Sequence, residues 1–183
     1  MGTERPHGEH AGFRVHVHEV LAPHVHALAA LWRVVGSTAG QVVTVSYRTA
    51  PEDALLLLLH EQEVKLEHEV RLMLRLVDAP AAIAARGFPP GFAALVPLEL
   101  DDRQCEWNAG RWVLEVRDGQ GRLERGGRGS VRLGAGAAAS LYAGWATTRT
   151  LARAGLLSGG SEADLDALDA AFAGPTAWLF EEF

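Results

Sequence analysis

The residues best suited to proton transfer in this 183-residue chain are its last six, Trp178-Leu179-Phe180-Glu181-Glu182-Phe183. The free carboxylate of Phe183 is a titratable acid on a flexible tether. A terminus this aromatic favours docking in a pocket over solvation, and docking would make the carboxylate available as a proton acceptor. A second constellation is Cys105-Glu106-Trp107-Asn108-Ala109-Gly110-Arg111-Trp112. Here Asn108 and Gly110 suit a turn ahead of a strand, with Trp107 as its anchor, so the block reads as structural. Cys105 invites a nucleophile reading, but no histidine follows His68 to serve as its base, and an inert cysteine is expected.

Two further patterns resemble sites and fail on geometry. His16 and His18 share a strand face, and His24 and His26 follow, yet residues two apart on a helix point nearly opposite ways, and no cysteine or carboxylate set completes a metal site. No metal is expected. Gly134-Ala135-Gly136-Ala137-Ala138-Ala139 satisfies a dinucleotide fingerprint, but the next acidic residue is Glu162, too distant to hold a ribose. It reads as the start of a helix.

The elements that must position these residues are legible from periodicity. Residues 1–12 hold almost no aliphatic side chain and are expected to form a loose tail. Phe13 to Val20 alternates like a half-buried strand. Val25, Leu28, Leu31, Trp32 and Val35 then form a helical stripe that runs from Pro23 to Gly36. A β-branched strand at Val42 to Tyr47, a helix from Pro51 to Leu59 and an alternating strand at Val70 to Leu76 complete a β-α-β-α-β order. A unit of that size buries little core, so its sheet is expected to continue into something else.

Asp78 and Pro80 then open a helix that ends at Gly87. Strands are expected at 92–100, 111–117, 122–124 and 130–133, with Asp118-Gly119-Gln120-Gly121 as a hairpin turn. Helices at 135–142, 148–154 and 161–172 follow. The expected fold class is α+β: a loose tail at 1–12, a first unit at 13–78, and a second at 79–183 with helices packed on a mixed or antiparallel sheet.

Composition narrows the function classes. With 17 Lys and Arg against 23 Asp and Glu the net charge is −6, and no basic stripe could neutralise several phosphates, so nucleic acid is not an expected partner. The longest apolar run, Ala54 to Leu59, falls far short of the roughly 20 residues of a membrane span, and no membrane association is expected. The start has no hydrophobic leader, and the single cysteine suits a reducing compartment, so the expected location is cytoplasmic.

Short blocks, read in order, resemble the Eis-like acetyltransferases, the family of the enhanced intracellular survival protein. They include Leu31-Trp32-Arg33, Pro51-Glu52-Asp53-Ala54-Leu55, the run Arg75 to Arg86, Trp107-Asn108-Ala109-Gly110-Arg111 and Leu141-Tyr142-Ala143-Gly144. Leu151-Ala152-Arg153-Ala154-Gly155 and the stretch from Leu165 to the terminal Phe183 extend the resemblance. Members are about twice this length, with two GNAT (N-acetyltransferase) modules and a domain shaped like sterol carrier protein type 2.

The resemblance implies that 13–78 is the rear of the second, non-catalytic GNAT module and 79–183 the sterol-carrier-like domain. The first module, with the acetyl-CoA loop, has no counterpart. The nearest string, Arg33-Val34-Val35-Gly36-Ser37-Thr38, misses that loop's last position and falls at a helix end, where the dipole repels phosphate. Acetyl-CoA is therefore the family's cofactor, and no cofactor is expected on this chain. In the family the C-terminal carboxylate is the general base that takes a proton from the amine substrate, which assigns that role to Phe183. Glu182 would attract the cationic amine, an aminoglycoside or a lysine side chain. The implied partners are the missing N-terminal half and further copies of the chain. The alternative is a free-standing sterol-carrier-like module with an apolar cavity for a lipid or a protein.

Overall fold

The computed structural model describes residues 13–37, 40, 42–59 and 64–180. They fall into two compact units, one of residues 13–59 with 178–180 and one of residues 64–177.

In the first unit β1 (Phe13–Val17) and β2 (Val42–Tyr47) pair in parallel, with a register shift between Phe13 and Arg14. Parallel neighbours need a crossover, and α1 (Val25–Gly36) supplies it. Helix α1 starts two residues after Pro23, because the His24 side chain accepts the Ala27 N–H and so sets the cap. The Trp32 ring meets Tyr47 edge-on at 5.0 Å. Burial raises the Tyr47 hydroxyl above its ordinary range, helped by the nearby Asp53 charge. The short α2 (Leu55–Leu58) is smaller than its sequence suggests. Asp53 accepts both the Leu55 N–H and the Thr49 hydroxyl, a local turn that holds Pro51 to Ala54 out of the helix. No residue of α1 is buried, and Leu55 is the buried hydrophobic residue described in this unit.

In the second unit α3 (Ala79–Ala85) precedes three antiparallel neighbours, β3 (Ala94–Asp101), β4 (Gly110–Arg117) and β5 (Gln120–Arg125). Next come β6 (Val131–Gly134), α4 (Ala135–Tyr142), α5 (Thr148–Arg153), β7 (Leu157–Gly159) and α6 (Glu162–Ala171). The sheet order is β5-β4-β3-β6-β7, with β6 parallel to β3 and antiparallel to β7. The sheet is therefore mixed. Alternation sends Val96, Leu98, Leu114 and Val131 inward to meet Ile83, Leu141 and Leu168 from the helices.

The hairpin between β4 and β5 turns through Asp118 (φ 52°) and Gly119 (φ 78°), the positive pair that a two-residue primed turn needs. Gly121 matters for another reason: a Cβ there would lie 2.3 Å from the Phe88 ring, so only glycine lets that ring close over β5. Helix α6 carries a reciprocal cap, in which Ser161 and Asp164 satisfy each other's backbone N–H.

Two elements depart from the sequence reading. Leu157–Gly159 is a three-residue edge strand, too short to show a period of two. Val70 to Leu76, expected as a strand, carries no ladder with any described strand. Its alternation is real, but a ladder needs a neighbour, and Val70, Leu72 and Leu74 are left 52%, 53% and 51% exposed. No described helix is long and apolar enough to cross a membrane.

Candidate functional site

Around Asn108 the sheet domain grips the chain that leads into it. Asn108 is 2% exposed and spends its whole side chain on backbone and carboxylate partners. Its Oδ1 accepts the Ala79 N–H at 2.9 Å, an orphan donor at the start of α3. Its Nδ2 donates to Leu76 O at 3.0 Å, Val77 O at 3.2 Å and Asp102 Oδ2 at 3.3 Å. Trp107 adds an indole N–H to Val77 O at 2.8 Å. The turn is closed by Asn108 N–H to Cys105 O at 2.8 Å and exits through Gly110 at φ 115°. Arg125 lies 3.9 Å from the Trp112 ring and donates to the carbonyls of Trp107 and Ala109. Thus the Trp-Asn-Ala-Gly-Arg block is a clasp, and its positive φ falls on Gly110 rather than Asn108.

Asp102, 5% exposed, is the clasp's charge. It accepts the Cys105 N–H at 2.9 Å, the Gln104 N–H at 3.1 Å and the Arg75 guanidinium. Burial pushes its carboxyl up, but those amides, the Asn108 amide and the Arg75 charge outweigh it, so the group titrates below the usual carboxylate range. Cys105 is buried beside it and free of any disulfide. A depressed folded-state value means the stabilisation is present above the unfolded value and lost as the pH falls through the folded one. Asp102→Asn should therefore show its full stability deficit above about pH 5, shrinking as the pH drops through 3.8 and below. Urea unfolding of both proteins between pH 3 and 7 reads this; a deficit constant to pH 3 would contradict it.

The C-terminal segment leaves from Phe172, the C-cap of α6. Phe172 is buried, and its carbonyl accepts Arg86 Nη2 at 3.3 Å. The Arg86 guanidinium sits 5.4–5.8 Å from the ring centres of Phe88, Tyr142 and Phe172, so the point of departure is held by stacking as well as by a hydrogen bond. Farther on, Trp178 and Phe180 meet edge-on at 6.2 Å, with Trp178 and Leu179 about half exposed. Phe183 and Glu182, on which the sequence places proton transfer and substrate attraction, lie outside the described residues.

The other candidates fall apart. His16 binds Ser46 through its ring at 2.9 Å and abuts His18, both exposed, and no group of three metal-ligating side chains is found among the described residues. Arg33 to Gly36 ends α1, where the Ser37 N–H is used by the carbonyls of Arg33 and Val34. A pyrophosphate needs free amides at a helix start, so these residues do not fit acetyl-CoA. Beneath α3, α4 and α6 lies an apolar cavity of about 30 Å³, lined by Leu76, Ile83, Leu98, Leu141, Tyr142 and Phe172 among others. Sequence reasoning missed the Arg86 stack and the Asp102 acceptor set. The stack brings Arg86 to Tyr142 and Phe172, far along the chain, and the Arg75 bond to Asp102 spans 27 residues, whereas the Gln104 and Cys105 amides on Asp102 form a local turn that the spacing did offer.

The pattern of the sterol carrier protein domain matches residues 79–180, and that of the acetyltransferase (GNAT) domain matches residues 3–76. Comparison with curated proteins found no match. Among solved structures, a GCN5-related N-acetyltransferase from Kribbella flavida is 44% identical, with a TM-score of 0.77 over 87% of this chain and 41% of that one. A GCN5-related N-acetyltransferase from Anabaena variabilis is 33% identical, with a TM-score of 0.81 over 86% of this chain and 40% of that one. Eis1 from Mycobacterium abscessus is 33% identical over 60% of this chain and 27% of that one, with a TM-score of 0.51. The chain spans about two-fifths of the length of the first two.

Proposed function

The chain belongs to the sterol carrier protein domain family, joined here to an acetyltransferase (GNAT) domain, and from that premise we propose that it is the C-terminal portion of an Eis-like, acetyl-CoA-dependent N-acetyltransferase. The observation that carries this reading is the pairing of the two domain matches in a chain that spans only about two-fifths of its solved acetyltransferase relatives. In the assembled enzyme the first GNAT module holds acetyl-CoA, since the helix end at Arg33 to Ser37 offers it no amides. The Phe183 carboxylate then takes the proton from the acceptor amine and leaves a nitrogen lone pair free for attack. Glu182 draws the cationic amine, an aminoglycoside or a lysine side chain, toward that carboxylate. The sterol-carrier-like domain carries the base, shapes the cleft and contributes contacts between copies in a cytoplasmic homo-oligomer. The Arg86 stack fixes where the terminal segment departs.

Calorimetric titration of this chain alone with acetyl-CoA tests the division of labour. No binding up to millimolar concentration is expected, and micromolar affinity would overturn it. A lipid-carrier role is disfavoured by the cavity, whose roughly 30 Å³ suits a water or two rather than an acyl chain. Long-chain fatty acids and sterols should accordingly leave the melting temperature unmoved, because a ligand that does not bind the folded state cannot stabilise it. A rise of several degrees would restore the lipid reading.

A further inference from the structure

Arg86, Tyr142 and Phe172 close α3, α4 and α6, and the three helix ends meet on the Arg86 guanidinium. Among the described residues no carboxylate forms an ion pair with it, and its Nε is buried without an acceptor. A guanidinium set among the rings of Phe88, Tyr142 and Phe172 with one donor unused is a costly way to fill apolar space. A methionine would fill it without desolvating a charge. What arginine supplies and methionine cannot is the bond from Nη2 to the Phe172 carbonyl at 3.3 Å. That carbonyl belongs to the C-cap of α6, from which the terminal segment departs. A second contact confines it: a Cβ on Gly144, whose φ is 67°, would come within 3.2 Å of the same oxygen, so the turn after α4 lies close against it.

We infer that Arg86 is a positioning residue for acetyl transfer: by holding the Phe172 carbonyl it sets the path of the segment that carries the Phe183 carboxylate to the acceptor amine. Eleven residues lie beyond Phe172, and fully extended they span at most about 36–40 Å. A tether of that length swinging from a loose origin would spread the carboxylate through a large volume, and its concentration at the amine would be low. A fixed origin removes much of that freedom, and Pro175, whose ring restricts φ, stiffens the early course. Arg86 thus acts through Phe172 rather than by touching the reacting atoms. This inference rests on the assignment of Phe183 as base and adds what aims that base.

The test is a double-mutant cycle in the assembled acetyltransferase, with acetyl-CoA and an aminoglycoside as substrates and each variant assayed below its melting temperature. Arg86→Met should lower kcat by about ten- to a hundredfold, since misplacing a reacting group costs rate. The KM for acetyl-CoA should stay within about twofold, because cofactor binding is not what is lost. Arg86→Lys should fall between the two: it can still donate to the Phe172 carbonyl but has no planar face for three rings. In an enzyme whose Phe183 carboxylate is replaced by a C-terminal amide, Arg86→Met should cost no more than about twofold further, because the base it aims is already gone. Arg132→Met, on the exposed side of β6, should turn over like its parent in both backgrounds. A fully active amide would overturn the base assignment and this inference with it. An inactive amide beside full turnover by Arg86→Met, or a further loss of about tenfold in the amidated enzyme, would leave the base standing and overturn the role of Arg86. If Arg86→Met does not fold, the same cycle is run with Arg86→Lys, and a loss that persists in the amidated enzyme is again the contradicting result.

Discussion

Removing Phe183 from the assembled acetyltransferase should lower acetyl transfer to an aminoglycoside amine by about 10²–10⁴-fold, the usual worth of a positioned general base. The melting temperature should stay within about a degree, since the residue lies beyond every element of the sterol-carrier-like domain, whose last helix ends at Ala171. Two controls separate the acid from the ring. A C-terminal amide keeps the phenyl group and removes the base, so it should be as inactive as the deletion. One extra glycine after Phe183 displaces the carboxylate by up to about 3.5 Å, and proton transfer tolerates no such gap. Phe183→Leu, which keeps the carboxylate and an apolar side chain, should retain most activity. Full turnover by the amide would end the base assignment, whatever the deletion does.

The second large effect is structural. Asn108→Ala should destabilise the chain by about 2–4 kcal/mol, because it leaves the Ala79 N–H and the Leu76 carbonyl without their shared partner in a site that is 2% exposed, while Val77 O keeps the Trp107 indole. A loss of that size corresponds to roughly 10 °C in melting temperature for a chain of this length. Asn108→Asp should rescue nothing: it keeps the acceptor for Ala79 but loses both donors and sets a second carboxylate beside Asp102, which Asn108 now touches at 3.3 Å. The measurement is thermal and urea unfolding of the three proteins at neutral pH. If Asn108→Ala melts with the wild type, the clasp does not hold the chain.

Much of the sheet domain was legible because its cues are local. The cap at Asp78 with Pro80 acts within four residues and was realised where the spacing put it, and the hairpin turn fell on Asp118-Gly119, the first half of the four residues the spacing offered. The alternation of β3 and β4 likewise needs no knowledge of partners to be seen. What escaped was set by distance in the chain. The three-residue strand β7 exists because Leu133 and Val131 offer it an edge, not because Leu157-Ser158-Gly159 encodes one. Conversely Val70–Leu76 encodes a strand and lacks an edge among the described residues, so a correct pattern gave no ladder. At the site, Trp107-Asn108-Ala109-Gly110-Arg111 was legible as a structural turn, but its reach to Ala79 and Asp102 was not. The Arg86 stack draws together the ends of three helices, α3, α4 and α6, and has no sequence signature.

The central claim is that this chain works as one part of an acetyltransferase whose acetyl-CoA is held elsewhere. The most direct test isolates, under native conditions from the source cells, the particle that carries the Trp178 to Phe183 terminus. Its mass and its acetyl-CoA binding are then measured. The account predicts a particle of at least about double 19.6 kDa that contains a second GNAT module, binds acetyl-CoA and acetylates an amine. A particle in which this 183-residue chain is the sole polypeptide, and which neither binds acetyl-CoA nor transfers its acetyl group, would contradict it.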